Sequence, residues 1–314
     1  MILISLFKRK QKQDGMAGVT IDGTGISLSK ICHPEGQPPS LEACVYRSCD
    51  ISNQASVMAG LVDELNLKGA TCSHVLQPGE YTLLFVEAPP NVAAEELKSA
   101  VRWRIKDLID FHIDDAVFDV FDIPGQSHGN RPQMMYVVAV QSTVIQKKVE
   151  LIQSAGLDIS IIDIPELTQR NISALLPEDV AGVALLYLSE TGGIITLCRQ
   201  TVLYLTRNLD IGTKTLFSES EAENRERAFD SVVLEVQRSL DYYESHYAQA
   251  PIKTLVISAE NENISELINY LNLNLGITSR VLDIDVVIDS KVKIDGALQT
   301  HCMPAIGGAL RGSH

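Results

Sequence analysis

GVTIDGTGISLSKI, at residues 18–31, alternates apolar and polar side chains on both sides of a glycine-rich turn at residues 22–25. Such alternation around a short turn predicts a β-hairpin. The same order returns in the second half, where a strand from Val183, a turn at Gly192 and Gly193, and two further strands follow one another. Because both halves open in the same way, the sequence predicts two related α/β lobes.

Two further segments predict how the lobes are completed. A long helix is expected over residues 222–247, since Phe229, Val232, Val236 and Tyr243 recur at helical spacing. A glycine-rich end of the chain is expected at residues 305–311.

Length and composition limit the class of protein. The 314 residues are enough for about two domains, and 45% hydrophobic residues with 21% charged residues are typical of a globular chain. A net charge of −14 disfavours binding to nucleic acid, because it would repel a phosphate backbone. The longest apolar runs are too short to cross a bilayer, and the first residues do not have the order of a secretory signal. We therefore expect a cytoplasmic protein.

Cysteine and histidine do not predict a metal site. The six cysteines include no CxxC pair, so we interpret them as reduced thiols. Cys32 adjoins His33 and His301 adjoins Cys302, but neither pair has the spacing of a structural zinc site. We therefore expect no bound metal.

Three motifs resemble one protein family. AVRWRIKDLIDFHIDD, at residues 100–115, is similar to a PilM-family segment in which an Ala-Ile-x-Trp-Glu motif precedes Ile-Pro-Phe-Pro and a pair of acids. EVQRSLDYYES, at residues 235–245, and AIGGALRG, at residues 305–312, resemble two later motifs of that family. The matching residues of the first motif are Ala100, Trp103, Ile109, Phe111, Asp114 and Asp115. The chain thus resembles PilM-like type IV pilus assembly proteins, and within them the MshI group of mannose-sensitive haemagglutinin (MSHA) pili.

The resemblance implies an α/β, actin-like fold of two lobes, related to FtsA and to the cytoplasmic domain of GspL. It implies a basic tail over residues 1–15 and a first lobe over residues 16–164, with a small subdomain inserted at about residues 90–140. The second lobe would cover residues 165–314, and its segment 300–312 would return to the first lobe.

The resemblance also locates a nucleotide site whose motifs are altered. The family's Gly-Ile-Asp-Ile-Gly-Thr-Ser-Ser corresponds to the run that starts at Gly18, so Thr20 replaces the acid on the metal side and Asp22 replaces a glycine. Gly23 and Thr24 follow in the same turn. Two like charges about 4 Å apart repel by about 4 kcal/mol at an effective dielectric near 20, which would disfavour phosphate. Alternatively, Asp22 caps its own turn.

The other two nucleotide motifs are altered as well. The second hairpin has Tyr187 and Ser189 where the family has Asp-Ile-Gly, and Ala259 and Glu260 stand where a Gly-Gly turn would contact adenosine. We therefore expect no catalytic residues and no cofactor, and ATP with Mg²⁺ is disfavoured.

Two surfaces remain as candidates for binding. The tail has an apolar start followed by basic residues, which suits an anionic membrane surface, and the alternative is a frayed terminus. Its candidate membrane contacts are Leu3, Phe7, Lys8, Arg9 and Lys10. In PilM-like proteins a cytoplasmic peptide of a bitopic PilN-like protein docks near the inserted subdomain. The candidate contacts there are Trp103, Ile109, Phe111 and Ile113, and the alternative is that Trp103 and Ile109 belong to the core.

The resemblance, together with the altered nucleotide motifs, thus implies a non-enzymatic scaffold of an MSHA-type pilus assembly platform, peripheral to the inner membrane. Its expected partners are a PilN-like inner-membrane protein and the pilus motor ATPase, and the oligomeric state is left open. The alternative is an actin-like ATPase or a nucleotide-dependent switch that regulates assembly.

Overall fold

The structure is a computed structural model that describes residues 15–34, 36–90, 92–123, 126, 132–218, 222–247, 249–259, 261 and 263–313. Its strands are β1 (Met16–Ile21), β2 (Gly25–Cys32), β3 (Ser40–Ser48), β4 (Thr71–Val75), β5 (Thr82–Glu87), β6 (Ala116–Asp122), β7 (Met134–Gln141), β8 (Asp158–Asp163), β9 (Val183–Leu188), β10 (Gly193–Arg199), β11 (Val202–Leu209), β12 (Thr254–Ala259), β13 (Thr278–Val281) and β14 (Asp289–Ser290). Its helices are α1 (Gln54–Glu64), α2 (Ala94–Ile105), α3 (Ser142–Ser154), α4 (Pro165–Ser173), α5 (Thr213–Leu216), α6 (Ala222–Tyr247), α7 (Ile264–Asn274), α8 (Ile284–Val287) and α9 (Gly296–Ala309).

Two mixed sheets repeat one topology. The first sheet has the order β14-β3-β2-β1-β4-β8, and the second has the order β11-β10-β9-β12-β13. In both, an antiparallel hairpin is followed by strands that pair in parallel with its first strand, as β4 pairs with β1 and β12 pairs with β9. The two hairpins that the alternating sequence predicts are therefore the starting units of two equivalent sheets.

Helices cover the outer faces of both sheets. On the first sheet, Val19 and Leu28 pack with Met58 of α1 and Ile152 of α3. On the second sheet, Leu186 packs with residues of α6 and α7. The predicted helix at residues 222–247 is present because its periodic apolar residues all face this second sheet.

A shared core joins the inner faces of the two sheets. Ile31 of the first sheet and Leu185 of the second belong to one buried cluster, together with Ile172 of α4 and Ile306 of α9. Helices α4 and α9 thus lie between the sheets. The glycine-rich end predicted at residues 305–311 begins within α9, because Gly307 and Gly308 lie inside a helix that packs closely on its neighbours.

A third sheet forms a small subdomain. Its order is β5-β7-β6, and Val86 and Met135 on one face pack against Val101 and Ile105 of α2. The sheet begins at Thr82, before the insert predicted at about residues 90–140. The predicted limits of the lobes at residues 15, 164 and 314 stay predictions.

Candidate functional site

Both hairpin turns face one cleft between the lobes. Asp22 and Gly23 come from the turn between β1 and β2, and Ser189 and Gly192 come from the turn between β9 and β10. The cleft has a volume of about 710 Å³. Its position is the one that the resemblance implies for a nucleotide, so the chemistry of the two turns decides what it can bind.

The first turn is closed by its own aspartate. One carboxylate oxygen of Asp22, Oδ1, accepts hydrogen bonds from the backbone N–H of Thr24 at 2.7 Å and of Gly25 at 2.9 Å, and from the Thr24 hydroxyl at 2.7 Å. Gln54 fixes the same turn, because its Nε2 donates to the Asp22 backbone carbonyl at 2.7 Å. These hydrogen bonds support the second interpretation of Asp22, that its side chain caps its own turn.

Two residues of the same motif lie away from the cleft. Gly18 lies beneath α9, and a Cβ at this position would come within 1.7 Å of the backbone oxygen of Ala305. Thr20 is only 5% exposed and pairs with Ser27 and Val75 on the neighbouring strands. In this chain the motif glycine is required for packing of a helix on a strand.

The second turn is also bonded within itself. The Ser189 N–H and hydroxyl both donate to the Gly192 carbonyl, at 2.8 and 2.9 Å, and the Gly192 N–H donates to Ser189 Oγ at 3.2 Å. Glu190 forms an ion pair with Lys214 at 2.5 Å. Tyr187 lines the cleft beside this turn.

Lys148 and Glu80 form an ion pair on the cleft wall that the motifs did not predict. The Lys148 ammonium lies 2.7 Å from Glu80 Oε1 and donates to the Ile21 carbonyl at 3.1 Å. Both side chains are largely buried. They are far apart in the sequence and belong to neither hairpin, so no local pattern identifies them.

The third position at which the resemblance implies contact with a nucleotide lies at the end of β12. Ala259 is half-buried, pairs with Leu188 and packs against the core of the second lobe. Glu260 lies outside the described residues.

The His, Cys, Asp and Glu side chains that the structure describes do not have an arrangement typical of a metal centre. Within the described ranges, no three His, Cys, Asp or Glu side chains come together as a metal site would need. The ring of His301 stacks on Tyr46, with centroids 4.0 Å apart. Cys302 is buried, and hydrogen bonding with it raises the pKa of Cys44.

The candidate docking residues of the small subdomain differ in exposure. Trp103 on α2 is 75% exposed, whereas Ile113 is 8% exposed and belongs to the core of the subdomain. Ile109 is partly buried against that core, and Phe111 is half-buried. Of these four side chains, Trp103 has the surface that a partner could cover.

A buried carboxylate lies where α4 meets the small subdomain. Glu166 is 1% exposed, and the Tyr81 hydroxyl donates to its carboxylate at 2.8 Å. Burial raises the pKa of Glu166 to about 7. With Phe85, Tyr136 and other residues, Glu166 lines a second cavity of about 290 Å³.

The candidate membrane contacts Leu3, Phe7, Lys8, Arg9 and Lys10 all lie outside the described residues. Among the helices that the structure describes, none is long and apolar enough to cross a bilayer.

The fold is similar to those of two solved structures. A structure of the PilM–PilN type IV pilus biogenesis complex aligns over 96% of this chain and 99% of that chain, with 19% identity and a TM-score of 0.73. The cytoplasmic domain of EpsL, an inner-membrane component of the type II secretion system of Vibrio cholerae, aligns over 92% of this chain and 94% of that chain, with 11% identity and a TM-score of 0.50. No protein-family model and no curated protein matches the sequence. The repeated sheets and these alignments show that the chain has the actin-like α/β fold.

Proposed function

We propose that this chain is a non-catalytic scaffold of a type IV pilus assembly platform, of the MSHA type to which the MshI group belongs. In this role it binds the cytoplasmic segment of a PilN-like bitopic inner-membrane protein and contacts the pilus motor ATPase. It works in the cytoplasm, at the inner membrane. The observation that carries the proposal is the similarity to a PilM–PilN complex over nearly the whole of both chains.

The first turn supports a role without catalysis. In an actin-like ATPase, the backbone N–H groups of this turn would hold phosphate. Here the N–H groups of Thr24 and Gly25 donate to Asp22, and Thr20 is buried in the sheet where the family has its acid on the metal side. The function would then be positional, with the chain linking membrane components to the motor.

Trp103 is the side chain around which we place partner binding. Large exposed aromatic side chains are frequent anchors of interfaces, and this one lies on the small subdomain. Its neighbours Arg102 and Arg104 are held by acids, as Arg102 pairs with Asp114 and Arg104 lies 3.9 Å from a carboxylate oxygen of Glu87.

Binding of the cytoplasmic peptide of a PilN-like protein from the same organism tests the proposal. We expect Trp103→Ala to weaken binding by about tenfold or more, since a central aromatic anchor contributes about 2 kcal/mol. Leu273→Ala is the matched control, because Leu273 is 84% exposed but lies on α7 of the second lobe. No binding by the wild-type chain would contradict the scaffold role, and equal loss in both variants would contradict the docking surface.

The competing function is a nucleotide-dependent switch. The observation that favours it is the cleft of about 710 Å³ between the two turns. Isothermal titration with millimolar Mg-ATP, beside a PilM-like protein with intact motifs, separates the two functions. Saturable binding by the wild-type chain would support the switch, and silence beside a responding control would support the scaffold.

A further inference from the structure

Three hydrogen-bond donors of the first hairpin turn converge on one carboxylate oxygen. Two successive backbone N–H groups and one hydroxyl, from Thr24 and Gly25, all donate to a single oxygen of Asp22 within 2.9 Å. Successive N–H groups that converge on one point are the usual means by which backbone turns bind phosphate oxygens. In this chain, the oxygen at that point is Oδ1 of Asp22.

The wall of the same cleft has a positively charged side chain that is paired with an acid. Lys148 supplies an ammonium near the same turn, since it donates to the carbonyl of Ile21, the residue before Asp22. Its charge is balanced by Glu80 at 2.7 Å. Glu80 is itself fixed, because its other oxygen accepts from the Gln77 N–H at 2.9 Å.

We propose that Asp22 is a tethered anion, an internal ligand that fills the oxyanion site of the first turn and keeps free phosphate groups out of the cleft. A ligand attached to the turn acts at an effective concentration that free anions at millimolar levels do not match. In the same way, Glu80 pairs with the Lys148 ammonium and keeps it from binding a phosphate group. The cleft is then inhibited by its own side chains, which goes beyond the proposed scaffold role and does not depend on Trp103 or on any partner.

Two substitutions of the same residue separate hydrogen bonding from charge. Asp22→Asn removes the negative charge but leaves an oxygen that accepts the same three hydrogen bonds. Asp22→Ala removes both the charge and the acceptor, so the N–H groups become free. Asp210→Ala is the matched control, because Asp210 lines the same cleft from the second lobe.

The experiment is isothermal titration of the full chain with inorganic triphosphate at constant ionic strength. We expect Asp22→Ala to bind at least about tenfold more tightly than Asp22→Asn, which is the gain of one charge-assisted hydrogen bond. We expect no saturable binding by the wild type, and a further gain in Asp22→Ala with Glu80→Gln, which releases Lys148.

Three results would overturn the inference. They are equal affinity of Asp22→Ala and Asp22→Asn, an equal gain in Asp210→Ala, and wild-type affinity as high as that of Asp22→Ala. Circular dichroism and thermal unfolding establish that each variant is folded, and Asp22→Gly replaces Asp22→Ala if the latter does not fold. Because no partner is present, the result is independent of the test of the scaffold role.

Discussion

Substitution of Gly18 by alanine should displace α9, the helix that packs on β1, from the first sheet. The added Cβ would lie 1.7 Å from the Ala305 oxygen and 2.9 Å from the Ala309 backbone nitrogen. Carbon and oxygen in close contact lie about 3.3–3.6 Å apart, so α9 must move by more than about 1.5 Å. All the atoms in the way belong to the backbone, and no side-chain rotation relieves the clash.

The expected loss in the free energy of unfolding follows from the core that α9 covers. Its movement loosens a core that includes Ile306 and Met303, and overpacking of this kind costs about 3 kcal/mol or more. At about 2.1 cal/mol/K per residue, 314 residues unfold with an entropy of about 0.7 kcal/mol/K. A loss of about 3 kcal/mol therefore lowers the Tm by about 4–5 °C.

Scanning calorimetry of Gly18→Ala beside Gly23→Ala measures this effect. A Cβ at Gly23 would have no atom within 4 Å, so we expect the Tm of the control to stay within about 1 °C of the wild type. Equal Tm values for the two variants would show that the close approach of α9 to β1 does not constrain residue 18.

Three further predictions concern the buried interior. Gly307→Ala should lower the Tm as well, because its Cβ would lie 2.5 Å from the Thr168 carbonyl oxygen where α9 crosses α4. Calorimetry would contradict this prediction if Gly307→Ala and the control Gly23→Ala had the same Tm. Burial raises the pKa of Glu166 to about 7, so the folded state prefers the neutral carboxyl, and its contribution to stability is present below pH about 4.5 and lost as pH rises through about 7. Glu166→Gln should therefore gain in Tm relative to the wild type between pH 5 and pH 8, by an amount equivalent to at most about 3 kcal/mol, whereas a constant difference would contradict the shift. Burial raises the pKa of Cys72 and Cys198 to about 12, so iodoacetamide at pH 8 should leave both thiols unmodified in the native chain and modify them in urea. Mass spectrometry measures the modification, and rapid labelling of the native chain would refute the burial of these thiols.

The sequence predicts those parts of the fold whose signals are local. The hairpin at residues 18–31 and the helix at residues 222–247 follow from the alternation or helical period of neighbouring residues. The sequence does not predict the helix α9, because Gly307 and Gly308 are typical of turns, and only the proximity of Thr168 and Val75 shows why a helix needs them. A close approach between distant segments has no local signature.

The candidate site shows the same limit. The sequence leaves two interpretations of Asp22 open, and the hydrogen bonds from Thr24 and Gly25 decide between them. The ion pair of Lys148 and Glu80 depends on how α3 packs beside β1. Such a pair could be predicted only after the strand order was known.

The position of α9 has a consequence for the order in which the chain folds during translation. The strand β1 leaves the ribosome about 280 residues before α9, and ribosomes add about 5–20 residues per second. For roughly 15–60 s the inner face of the first sheet therefore has no helix α9 to cover it. During that interval Ile31 and Leu41, which α9 later helps to bury, are open to chaperones, and a nascent chain stalled before Gly296 would expose apolar surface in its earliest-made part.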